Sequence, residues 1–542
     1  MGTNFVNTIG IFPATELARR RRLFDALAQL YTVDFVGLSE MEQPAVGAAI
    51  LFDVDRQQAV RCAESGLRCL AFLKTSNPVS LPSGNVVLSS TPSLDRCFQG
   101  RVLADKTLDR AFHLPGDPQD EVIARKGDSI LWVHRQYGAS AMDLVAMEPP
   151  NLTEDTYLFN HFRPDDWIRF LPILHFLREV SGWERPPLRA CFMFDDPNLH
   201  WNSYGYVKYA SLAQSARENN YHVSFAAVPL DGWYVHGQTA TLFQKNQRWL
   251  SLLIHGNNHT TGELAQIYTE PVRRALAAQA LLRIERLEQV SGLEVSRVMA
   301  APHGACSQAM ATVLLQMGFE AACISRGSIM HHNPGSVWPL AMGLNPTEFM
   351  GAGLPVIPRF RMHSDCEINL LMAVFLGQPV IPVGHHEDVA GGLDLLAQLA
   401  GTLNSIGEVQ WMNMKSIARS NFCTRRNGNV LHLKMFSRRI QVKVPPGINQ
   451  LCVHRPWLGD GASEALELRL STRNPTCFSS YNGEPMATES CEDVEIRAFP
   501  SDAIDPHGIS LSRTPLKAVL RRQICEVRDR LKPVYDRLSV KK

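Results

Sequence analysis

Residues 190–198 read Ala-Cys-Phe-Met-Phe-Asp-Asp-Pro-Asn, an apolar run that ends in two adjacent carboxylates, Asp195 and Asp196. A short, continuous apolar run reads as a strand buried on both faces. The Asp-Pro-Asn that follows favours a turn or a helix cap. In parallel α/β folds, function gathers at the C-terminal ends of strands. Adjacent side chains there point in different directions, so one carboxylate can bind a metal while the other faces a substrate.

The pattern repeats on the C-terminal side. Strand candidates lie at 222–228, 250–255, 298–300, 321–324, 354–357 and 380–383, with helices expected at 206–218, 270–289, 308–317 and 391–403. Strands alternating with helices over about 220 residues imply a parallel sheet, doubly wound or closed as a barrel.

Three more of these strands run into polar clusters. Residues 252–259 read Leu-Leu-Ile-His-Gly-Asn-Asn-His, placing His255 and His259 four apart. Two histidines at that spacing can share one face of a helical turn and chelate one metal. The spacing also belongs to H-E-x-x-H, but that motif needs Glu after the first His, and Gly256 stands there. Pro302-His303-Gly304 follows the next strand, and 380–388 read Val-Ile-Pro-Val-Gly-His-His-Glu-Asp. A histidine such as His385 at that strand end can serve as a general acid.

The flanks differ in texture. Residues 1–148 alternate strands and helices and read as an N-terminal α/β, Rossmann-like domain, with a first strand at 4–11, a helix exposing Arg19 to Arg22, and a hairpin turning at Gly127-Asp128. It carries neither G-x-G-x-x-G nor G-x-x-x-x-G-K-[ST], so no nucleotide is expected there. Pro149-Pro150 marks a boundary, with a helix at 165–180 beyond it. The barrel is expected at 149–415, and short strands between Gly, Pro and Asn at 416–505 read as a small antiparallel, sandwich-like β-domain. Residues 506–542 hold a basic amphipathic helix with Leu516, Val519, Leu520, Ile524 and Leu531 on one face, expected to pack on the body, or to touch a membrane or partner.

Composition narrows the classes. The chain has 542 residues, 45% of them apolar, which suggests about three domains and excludes general disorder. Lys plus Arg is 54 against 53 for Asp plus Glu, so no basic excess exists to bind nucleic acid. No apolar run reaches the ~20 residues of a membrane span, and no secretory signal opens the chain. The 12 cysteines form no Cys-x-x-Cys pair and read as reduced thiols of a cytoplasmic protein.

Taken in order, the four strand-end motifs resemble the polysaccharide deacetylase family, the NodB-homology domain of carbohydrate esterase family 4, as a divergent member. The resemblance covers about residues 186–415. It implies a distorted (β/α) barrel that removes N- or O-acetyl groups from a carbohydrate with a divalent metal, zinc foremost, cobalt or nickel otherwise. Phe194-Asp195-Asp196 matches the first motif, which makes Asp195 the catalytic base and Asp196 a metal ligand. His255 and His259 match the other two ligands. Pro302-His303-Gly304 keeps the frame of the third motif, with the backbone N–H of His303 at the oxyanion, and Val383-Gly384-His385 matches the last, with His385 as general acid. Asn198, His200 and Asn257 are expected to contact substrate or support the ligands. Two positions depart from the pattern: the third motif's Arg, which orients the base, is Ala300, and the Ser or Thr of the second is Gly256. Arg359 or Arg361 is expected to replace that Arg. The expected activity is a metal-dependent carbohydrate deacetylase, in a chain that can form oligomers. The alternatives are an amide hydrolase of the same fold acting on a non-sugar C–N bond, and a catalytically inactive barrel binding carbohydrate or a partner.

Overall fold

The computed structural model describes residues 8–41, 46–74, 77–459, 461–470, 475–488, 493–500 and 502–539. Residues 4–7 of the first expected strand and Cys491 lie outside that set. The chain divides into two compact units: Met1–Glu184 with Val337–Asn345, and Arg185–Ser336 with Pro346–Lys542.

The first unit is a nine-stranded sheet. Its parallel half runs Asp34–Gly37, Thr8–Phe12, Ala48–Val54, Arg68–Leu73 and Ser140–Val145. The expected hairpin, Glu121–Lys126 with Ser129–Tyr137, continues it in antiparallel fashion. The unit extends past Pro149-Pro150 because the backbone N–H groups of Trp167 and Ile168 donate to buried Asp105, and Trp167 stacks on Phe98. The four arginines are not all on solvent: Arg20 is 3% exposed, paired with Glu16 and Glu148 and lying over the Phe52 ring. A helix start near a buried acid draws that one side chain inward, which the spacing of Arg19 to Arg22 alone does not reveal.

The second unit is built on a curled nine-stranded sheet in the order Glu348–Met350, Leu354–Pro358, Ala321–Ile324, Val295–Ala300, Leu250–His255, Val223–Ala227, Phe192–Asp195, Pro382–Gly384 and Phe360–Arg361. All neighbours are parallel except the first pair. These strands read as continuous apolar runs because helices cover one face and the sheet's own curl encloses the other. The interior holds Cys191, Met193, Ala226, Leu253, Val298, Ala300, Cys323 and Ile357, each fully buried. Leu354–Pro358 and Phe360–Arg361 lie near opposite ends of the strand order, yet only Arg359 separates them in the chain. One residue therefore joins the two ends of the curled sheet.

Eight further strands form two four-stranded sheets around a shared core of Leu433, Met435, Ile440, Val453 and Ile496. They are antiparallel except for Val430–Met435 against Gln450–His454, which run parallel because the chain leaves for the second sheet at Arg439–Lys443 between them. The C-terminal helix Leu516–Ser539 belongs to the same unit as the curled sheet. The described cysteines are all free, and no helix among the described residues is long and apolar enough to cross a membrane.

Candidate metal centre

The strand Phe192–Asp195 delivers Asp195 and Asp196 to the C-terminal rim of the sheet, and Leu250–His255 delivers His255 beside them. One ligand atom from each of Asp196, His255 and His259 falls within 4.8 Å of the others. The Asp196 Oδ1 lies 3.5 Å from His255 Nε2 and 3.0 Å from His259 Nε2. His255 Nδ1 is 2.8 Å from the Ala300 carbonyl, so Nδ1 carries the proton and Nε2 presents its lone pair to the centre. One carboxylate and two imidazoles, so oriented, fit a divalent cation with positions left open.

The two histidines do not share a helical turn. His255 ends a strand, and the chain reverses at Gly256, φ 63°, and again at His259, φ 55°. A buried carboxylate holds this reversal: Glu263 accepts from the backbone N–H groups of Asn257, Asn258 and His259. A Cβ at position 256 would stand 2.5 Å from Pro302 Cγ, which accounts for Gly where Ser or Thr was expected. Six described non-glycine residues have positive φ, and three of them, Asp196, His259 and His303, meet here. Backbone held in this sparsely populated region concentrates at functional sites.

Burial alone would raise the Asp196 carboxyl, but the hydrogen bond from His259 and the charges of His255, His259 and Arg522 hold it far below the usual carboxylate range. Burial pushes His255 down to about 4 against the pull of Asp195 and Asp196, so it is a neutral ligand at pH 7. His303, its ring 5.2 Å from His259, is lowered by burial and by that neighbour.

Asp195, whose charge acts on His255 alongside that of Asp196, is held from within the sheet by Arg359. Arg359 Nη1 stands 3.1 and 3.0 Å from its two carboxylate oxygens, and Arg359 Nη2 donates to the Ala301 carbonyl at 3.2 Å. Of the two arginines expected to replace the one missing at Ala300, Arg359 therefore reaches Asp195. Arg361 does not: it is 82% exposed and its nearest carboxylate is Asp388, at 3.8 Å. In one continuous strand the side chains at 359 and 361 would share a face; the bend at Arg359 between two strands separates them. His385 stands on the rim, half exposed, with Nε2 3.9 Å from Asp196 Oδ2, and Asp388 accepts from its backbone N–H.

Three residues expected to contact substrate or support the ligands hold the loops around the centre. The Asn198 Oδ1 accepts from the His200 backbone N–H, closing an Asx turn. His200 packs on Trp233 and lies 3.0 Å from the Asp231 carbonyl. Asn257 is buried, donating to Gln279 and accepting from Arg283. These loop contacts are not disclosed by a strand-end position.

Two participants are silent in the sequence. Glu263, four residues past His259, lacked any recognisable motif. Arg522 comes from the C-terminal helix: its guanidinium grips Asp231 at 2.9 and 2.6 Å and reaches Asp196 Oδ1 at 3.5 Å.

No protein-family model matches the chain, and no characterised protein matches it significantly in sequence. Solved structures align with it at low identity. The carbohydrate deacetylase Agd3 aligns over 92% of this chain and 99% of its own, at 10% identity and a TM-score of 0.47. A family 4 carbohydrate esterase from Streptomyces lividans aligns over 44% of this chain and 97% of its own, at 13% identity and a TM-score of 0.26. The peptidoglycan deacetylase PdaC from Bacillus subtilis aligns over 41% and 93%, at 12% identity and a TM-score of 0.20.

Proposed function

We propose that the protein is a metal-dependent hydrolase that removes an acetyl or related acyl group from a carbohydrate. The observation that carries this reading is the juxtaposition of the Asp196, His255 and His259 cluster with a second, separately held carboxylate, Asp195. The first set is suited to a cation; the second is outside that set and held in one orientation by a guanidinium.

Asp196, His255 and His259 would hold the ion, which, when bound, acidifies a water and polarises the acyl carbonyl. Asp195 takes the proton from that water. Arg359 keeps the Asp195 carboxylate in one orientation, a task that Ala300 cannot perform. The backbone N–H of His303, on a left-handed residue at φ 57°, is offered to the oxyanion of the tetrahedral state. His385, on the open rim, hands a proton to the departing amine or alcohol. The scissile bond breaks as that proton arrives, and acetate leaves with the oxygen of the water.

The test is acetate release from acetylated amino sugars and acetylated sugar esters, with wild type, Asp195→Asn and a chelated sample. Turnover that vanishes in both the variant and the chelated sample supports the reading. Turnover unchanged in Asp195→Asn overturns the role given to that residue. Release from non-sugar acetamides alone would place the chain among amide hydrolases of the same fold.

A further inference from the structure

The C-terminal helix is docked by the wrong face for a core helix. Its polar side lies on the rim of the sheet: Arg522 binds Asp231, Glu526 accepts from the Trp201 indole, Asp529 Oδ1 is 3.5 Å from the buried His386 Nε2, and Lys532 binds Glu387. Its apolar side faces away. Leu516, Leu520, Ile524, Val527, Leu531, Val534, Tyr535 and Leu538 are between 53% and 80% exposed. At 100° per residue these eight side chains share an arc of about 100°. An exposed apolar stripe of this extent marks an interaction surface.

The charges along the stripe select its occupant. Lys517 and Arg521 line one border with Arg528, which also pairs with Asp529; towards the other border, Arg530 pairs with Glu526 and lies over the Trp201 ring. Glu526, Asp529 and Asp536 are turned inward, against His200, His386 and Tyr206. No acidic side chain borders the stripe among the described residues. Leu520, Ile524, Val527, Leu531, Val534 and Leu538 also alternate by four and three, which is the seam spacing of a coiled coil. Pairing with a second copy would set Arg521, Arg528 and Arg530 along both sides of that seam with no acidic side chain at the facing positions to balance them. An apolar arc with Lys and Arg at its borders and a Tyr at its edge instead fits the boundary between headgroups and acyl chains of an anionic bilayer.

We propose that the outward face of helix Leu516–Ser539 is a docking surface for an anionic lipid membrane. The helix lies in the plane of the bilayer, its apolar arc among the acyl chains and its basic borders at the headgroups. The inward face stays on the protein, so docking needs no unfolding. The rim that carries Asp196 and His385 then faces the membrane side.

The full chain is spun with vesicles of phosphatidylcholine alone and of equal parts phosphatidylcholine and phosphatidylglycerol. At least several-fold more protein pelleting with the anionic vesicles is expected, weakened by 0.5 M salt. Ile524→Ser with Leu531→Ser, and separately Arg521→Gln with Arg528→Gln, should each reduce pelleting several-fold. All four side chains are exposed, so circular dichroism should stay that of wild type. Equal pelleting with both vesicle types, none with either, or pelleting unchanged in the two variants would overturn the proposal. So would a dimer in sedimentation equilibrium that Ile524→Ser with Leu531→Ser dissolves while vesicle binding is absent; the stripe would then be a self-pairing seam.

Discussion

Arg359 Nη1 lies about equally far, 3.1 and 3.0 Å, from both carboxylate oxygens of Asp195. The pair is buried, and Arg359 is the single residue between Leu354–Pro358 and Phe360–Arg361, the strands that bring the curled sheet back on itself. The bend that joins these two strands and the positioning of the proposed base thus rest on the same residue. Arg359→Ala should lower kcat about 10²-fold or more, the usual scale for a mispositioned general base, while bound metal stays near one equivalent. Arg359→Lys keeps the charge but loses the planar fork, and should recover only part of the rate. Steady-state kinetics beside elemental analysis checks both, and a variant with wild-type kcat would remove Arg359 from the mechanism.

The ligand set predicts a separation of metal binding from turnover. His255→Ala with His259→Ala should abolish the roughly one equivalent of divalent metal expected of a three-ligand site. Asp195→Asn should retain the metal and lose turnover. Elemental mass spectrometry of the purified proteins decides: wild type that holds no metal even after reconstitution would end the metal-dependent reading.

Glu263 accepts three backbone hydrogen bonds while buried, and it fixes the left-handed turn at His259. Removing a charged acceptor costs about 1.5–3 kcal/mol per bond at most, partly recovered by relaxation. Glu263→Ala should therefore lower Tm by several degrees and weaken metal affinity about 10–100-fold. Thermal unfolding and a competition titration with a chromogenic chelator measure the two effects. An unchanged metal affinity would show that His259 needs no such support.

Stability should depend on acid pH in a direction that the histidines set. Burial pushes both His222 and His255 down to about 4 from an ordinary 6.5. Between those values the unfolded chain binds protons that the folded chain refuses. The contribution is intact above pH 6.5 and is lost as pH falls towards 4, at up to about 1.4 kcal/mol per pH unit for each residue. His222 donates Nδ1–H to the Arg248 carbonyl and accepts from Ser251 through Nε2, so protonation places a charge in a buried site and forces the Ser251 hydroxyl to turn and accept. Urea unfolding of the metal-free protein at pH 7 and pH 4.5 should show the loss, and His222→Gln should shrink it. A flat profile would mean that both sites admit water.

The alternation of apolar runs with helical spacing from residue 188 onward was enough to place the parallel strands, because burial on both faces leaves a continuous apolar signature. Asp195, Asp196, His255 and His385 were legible for a related reason: polar residues that follow such runs directly must sit at strand ends. The Asp196, His255 and His259 cluster could be suspected from spacing, although the loop that forms it, reversing at Gly256 and tied to Glu263, could not. Asn198, Asn257 and His200 were legible as polar residues beside the strand ends, but the loop contacts they make were not, since side-chain chemistry does not say which partner is nearest.

What the sequence determined by itself is local: which segments are buried, where they stop, and which chemical groups stand at the stops. The tertiary structure decided what depends on distant parts of the chain meeting. The curl of the sheet chose Arg359 over Arg361, because only the side chain at the bend turns inward to Asp195. The docking of the C-terminal helix chose its polar face for the protein and left the apolar one outside, since Asp231, Glu387 and His386 offered charged and polar partners that no apolar groove outweighed. Amphipathic spacing reports that a helix has two faces; only the surface it meets determines which one is covered.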